Sequence, residues 1–126
     1  MQFASRAAPV HAGRGVSRGT GMLMAFEAAT FMVAAVVHFI TGFTGAAFPE
    51  TIIAIVLAAG SYAVLTSRTR AWGTAVAATA FAAFGTLVGL SIIASGRQDV
   101  PDLTYHASIL AVLAGSLFVL VRQGRR

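Results

Sequence analysis

The chain contains no cysteine, no lysine, and only four acidic residues among 126. Without cysteine there are no disulfides, thiolate nucleophiles, zinc–cysteine sites, iron–sulfur clusters or covalently attached c-type haem. Charged residues make up 10% of the chain and hydrophobic ones 57%, whereas soluble domains carry about 25% charge. That balance excludes an ordinary water-facing surface. It also excludes disorder for most of the chain, because disorder requires low hydrophobicity.

What is present falls into four apolar stretches. A membrane-crossing helix needs about 20 predominantly apolar residues. The sequence predicts spans at about 22–41, 51–67, 71–94 and 103–121, the second being short. The expected fold is therefore an all-α transmembrane four-helix bundle over residues 21–122. A flexible basic tail is expected over 1–20 and a short basic tail over 123–126. The first hydrophobic stretch is too long for a signal-peptide core and contains Glu27, so the N-terminal region reads as a tail and not as a cleaved leader.

All nine basic side chains are arginine, and their placement orients the bundle. Arg6, Arg14 and Arg18 precede the first span, Arg68 and Arg70 join the second and third, and Arg122, Arg125 and Arg126 follow the fourth. Arg97 stands alone on the opposite side. Basic loops stay cytoplasmic, so both termini are expected inside a bacterial inner membrane. Trp72 then falls at the inner interface and Tyr105 at the outer one, where amphipathic rings lie. Topology accounts for the basic charge, so no nucleic-acid partner is expected. The lipid bilayer is the expected surrounding.

Ionisable residues inside spans are costly and mark functional or packing-critical faces. Glu27 and His38 share one face of the first helix but lie about 16 Å apart along its axis. Glu50 after Pro49, and Asp102 after Pro101, read as helix-start residues: proline suits a first turn and a carboxylate favours the helix dipole. His106 follows Asp102 by four positions, which puts both side chains on one face within reach. His38 and His106 lie at matched depth below the outer boundary, with Glu50, Asp99 and Asp102 around them.

Two imidazoles with carboxylates suit a divalent transition metal, here His38, His106, Glu50 and Asp102, or a proton. Haem b between two histidines is a further alternative. Asp99, Arg97 and Glu27 are expected to support or pack around the site. So are Gly85 and Gly89, a G-x-x-x-G pair that lets another helix approach closely. That approach is read first as intramolecular, with a homo-oligomer or a larger membrane complex as the alternative. In the latter case the chain is a non-catalytic accessory subunit. No catalytic residue stands out: there is no nucleophile–base pair and no phosphate loop.

Several stretches carry a resemblance. They are Glu27-Ala28-Ala29 with Phe31 and Ala35-Val36-Val37-His38, Pro49-Glu50-Thr51-Ile52-Ile53 leading into Val56-Leu57-Ala58-Ala59-Gly60, Gly85-Thr86-Leu87-Val88-Gly89, and Pro101-Asp102-Leu103-Thr104-Tyr105-His106. Over residues 22–121 the chain resembles a group of small four-helix bacterial membrane proteins with no assigned activity. The resemblance implies a compact inner-membrane bundle and brings no activity or cofactor with it.

Overall fold

In the computed structural model, which describes residues 15–96 and 99–125, the chain folds into four helices and no strand among those residues. They are α1 (Arg18–Ile40), α2 (Thr44–Leu65), α3 (Ala71–Ser95) and α4 (Val100–Gly124). At 1.5 Å per residue, helices of 22 to 25 residues reach about 33–38 Å, enough to cross a hydrocarbon core of about 30 Å. All four are long and apolar enough to span a membrane.

Local chemistry sets the ends. Ser17 caps α1, its hydroxyl accepting from the Thr20 amide at 3.2 Å. Asp99 caps α4 in the same way toward the Asp102 amide, and Pro101 sits in the first turn, where no intrahelical donor is needed. Gly42 turns the chain between α1 and α2 with φ of +82°, a conformation open to glycine without strain. The α1 boundary places residues 18–20 in the helix, ahead of the sequence-based start. Residues 1–14 of the expected tail lie outside the described residues.

The second helix differs most from expectation. It begins at Thr44, seven residues before the predicted start, so Pro49 lies inside it and not in its first turn. Glu50 is therefore not a solvated helix-start carboxylate; it is buried at 3% exposure. Proline removes the amide that would bond the Gly45 carbonyl one turn earlier, and the interruption sits beside Glu50. Gly45 and Pro49 both lie on the exposed side of the helix, outside the packed interior.

Contacts run α1–α2, α2–α3, α3–α4 and α4–α1, closing the bundle in chain order. The α1–α4 seam is the most open. Met24, Phe31, Leu57, Leu113 and Leu120 are fully buried in the interior. Against them α3 presents a narrow row of Ala71, Ala75, Ala78 and Ala82, spaced on one helical face. In lipid no hydrophobic exclusion drives helices together, so such small residues gain their stabilisation by close backbone approach. Gly60 on α2 belongs to the same device. A side chain there would meet the Met24 methyl at 2.6 Å and the Ala78 Cβ at 2.9 Å.

Candidate functional site

The helix directions gather Arg18, Arg68, Arg70, Arg122 and Arg125 at one end of the bundle. The opposite end holds the residues singled out by sequence. His38 comes from the last turn of α1, Glu50 from beyond the proline of α2, and Asp102 and His106 from the first two turns of α4. The structure brings all four together.

Their atoms form a closed alternation of imidazoles and carboxylates. His38 Nδ1 lies 2.6 Å from Glu50 Oε2, and its Nε2 lies 3.6 Å from Asp102 Oδ1. His106 Nδ1 lies 2.9 Å from the Asp102 carbonyl and 3.0 Å from Oδ1 of the same residue, while its Nε2 faces Glu50 Oε1 at 3.7 Å. Each ring is thus anchored through Nδ1; at His106 the partner is a backbone carbonyl, so that nitrogen carries the N–H. Each Nε2 then faces a carboxylate oxygen beyond hydrogen-bond length. Glu50 Oε1 is buried and has no hydrogen-bond partner.

Two cavities flank the ring on different sides. A groove of about 690 Å³ along the α1–α4 seam reaches His38 and Asp102 between walls that include Phe26, Val33 and Tyr105. A tighter space of about 190 Å³ between α2 and α3 reaches Glu50 and His106. The α1–α4 pair and the α2–α3 pair therefore address opposite edges of one polar cluster.

Helix α3 contributes space instead of polar atoms. A Cβ on Gly89 would sit 3.3 Å from His106 Nε2, and one on Gly85 would sit 2.8 Å from Ile53 Cδ1. Both glycines of the G-x-x-x-G pair are used inside the chain: one seats α2 and the other seats the His106 ring.

Other expectations shift. Asp99 is the α4 cap and also borders the α1–α4 groove. Arg97 lies outside the described residues. Glu27 takes no part in the ring; it is fully buried and accepts a 2.6 Å hydrogen bond from the Ser116 hydroxyl on α4. Tyr105 is not a surface anchor. Its ring packs edge-on against Phe31 and His106, and its hydroxyl is buried. Trp72 does bridge helices at the arginine end, donating from Nε1 to the Leu120 carbonyl at 2.8 Å. Nothing local to α4 marks Ser116 as the partner of Glu27, 89 positions away.

Among the described residues, no group of three or more histidine, cysteine or acidic side chains is arranged to hold a metal ion. The ring atoms bond to one another and do not converge on a common point. Both imidazoles contact the carboxylates of Glu50 and Asp102. No family model, no curated protein and no solved structure matches this chain. The site's own chemistry therefore has to carry the functional reading.

Proposed function

We propose that the protein is a multi-pass inner-membrane protein whose His38–Glu50–His106–Asp102 ring binds protons close to the outward face. The observation that carries this reading is the pair of unfilled Nε2-to-carboxylate gaps of 3.6 and 3.7 Å. With both imidazoles neutral and both acids ionised, this set of four groups carries two uncompensated negative charges inside a membrane bundle. Burying such charges costs several kcal/mol each unless they are paired. A proton on each Nε2 turns each facing pair into an imidazolium–carboxylate pair and makes the set neutral. The ring then stores two protons and lies between two cavities through which they exchange.

The arginines support an orientation. Five described arginines mark one end, and the positive-inside rule makes that end cytoplasmic, with the ring opposite.

Proton uptake measured on the purified protein, with ¹⁵N-histidine spectra recorded alongside, tests the proposal. The Glu50→Gln variant should take up about one proton fewer than the parent, and both rings should respond to it, not only His38. Independent titration of two unlinked histidines, each indifferent to Glu50→Gln and Asp102→Asn, would overturn it. A divalent metal ion supplies the same two charges. Saturable Zn²⁺ binding that disappears in the His38→Ala, His106→Ala double variant would replace the proton reading with a metal one.

A further inference from the structure

The α2–α3 cavity ends on Glu50 Oε1, a buried acceptor without a hydrogen-bond partner, with His106 Nε2 beside it. Glu50 is buried at 3% exposure and its Oε1 has no partner. His106 is buried at 5%, and with its Nδ1 proton held by the Asp102 carbonyl, a neutral ring turns the Nε2 lone pair toward Glu50. The two atoms are 3.7 Å apart. That is too far for a bond between them, but one donor group with several N–H bonds can reach both. Gly89 keeps this edge of the ring open, since a Cβ there would press on His106 Nε2.

The rest of the cavity selects the occupant. Its walls are the apolar side chains of Ile53, Val88, Ile92 and Ile93, which solvate a hydrated metal ion poorly. Its volume of about 190 Å³ is roughly that of six waters at about 30 Å³ each, or of an amine with a short hydrocarbon chain. An anion is repelled by Glu50. A cation is favoured, because the ring holds two carboxylates against two imidazoles.

We propose that this cavity binds a small primary ammonium ion with a short apolar tail, whose N–H groups bridge Glu50 Oε1 and His106 Nε2. The proposal rests on the reading above that positive charge neutralises the ring. It adds that a proton and the ammonium compete for the same lone pair of His106. The polar groups facing that position are Glu50 from α2, Asp102, Tyr105 and His106 from α4, and His38 from α1 through Glu50; α3 adds the Thr86 hydroxyl, which donates to the Ala82 carbonyl, beside Gly85 and Gly89. Acidification should therefore displace the amine.

The test uses the full chain in zwitterionic lipid nanodiscs, with n-butylammonium as the probe and n-butanol and butyrate as matched controls. Butylammonium should shift the His106 Nε2 resonance saturably, and neither control should do so. Glu50→Gln should weaken binding at least tenfold. Val88→Phe, at a position 43% exposed on α3, should fill the cavity and abolish binding while the helical content stays unchanged. Absence of a saturable shift, equal binding of butanol, or binding that survives Val88→Phe would overturn the proposal. Proton uptake measured without amine separates this failure from failure of the proton-binding reading.

Discussion

His38 and Glu50 meet at 2.6 Å, Nδ1 to Oε2, across 12 residues of sequence that include the α1–α2 turn. The contact closes the hairpin at its tip and anchors the one ring of the cluster that α1 supplies. It depends on α2 starting at Thr44, because a helix starting at Thr51 would leave Glu50 in the connection. Replacing Glu50 by Ala leaves the half-buried His38 Nδ1 without its partner, at a cost of about 1 kcal/mol. Glu50→Gln retains an acceptor and should lose less. Unfolding in mixed micelles of the two variants gives the comparison.

Gly89 and His106 form a second coupled pair. In Gly89→Ala the new methyl would stand 3.3 Å from Nε2, so the ring must move by a few tenths of an ångström. The expected result is a changed His106 resonance and a smaller change at His38. In Gly85→Ala the Ile53 side chain can rotate away instead, and the His106 signal should stay close to that of the parent. Because both glycines already face neighbours within the chain, neither substitution should alter the oligomeric state. Native mass analysis after gentle extraction reads that directly.

Glu27 and Ser116 tie α1 to α4 deep in the bundle, beneath an otherwise apolar layer of Met24, Phe31 and Leu113. Hydrogen bonds between membrane helices couple by about 0.6 kcal/mol on average and reach about 1.7. A double-mutant cycle of Glu27→Gln and Ser116→Ala should fall in that range. Ser116→Ala alone should be the more damaging change, since it leaves Glu27 Oε1 without a donor as well as Oε2. Proton uptake by the ring should be unaffected by Ser116→Ala.

The absence of cysteine makes topology simple to measure, since any introduced thiol is the only one. Ser95→Cys at the ring end of α3 should react with an impermeant maleimide added outside intact cells. Thr69→Cys between Arg68 and Arg70 should react only after permeabilisation. The reverse pattern would invert the bundle and turn the ring toward the cytoplasm.

Much of this protein is determined by composition and order alone. Four apolar stretches with 10% charge permit helices that satisfy their own backbone in lipid, and short connections make those helices antiparallel. The same connections put His38, Glu50, Asp102 and His106 at one end and most arginines at the other. The four-residue spacing of Asp102 and His106 is legible because a helix has 3.6 residues per turn.

Other features were decided only in three dimensions. Pro49 reads as a helix start, yet α2 begins about a turn and a half earlier and turns Glu50 into the interior. Matched depth predicts one site shared by the two histidines. Rotation of α1 and α4 about their axes decides the contacts within it, giving each ring an Nδ1 partner and turning each Nε2 toward a carboxylate. Gly85 and Gly89 read as a helix-contact motif without a stated partner. Only the placement of Ile53 and His106 shows that one glycine admits α2 and the other an imidazole. Sequence spacing fixes which residues share a helix face, whereas the facing partner depends on helix rotation and crossing, which side-chain packing across the whole bundle sets.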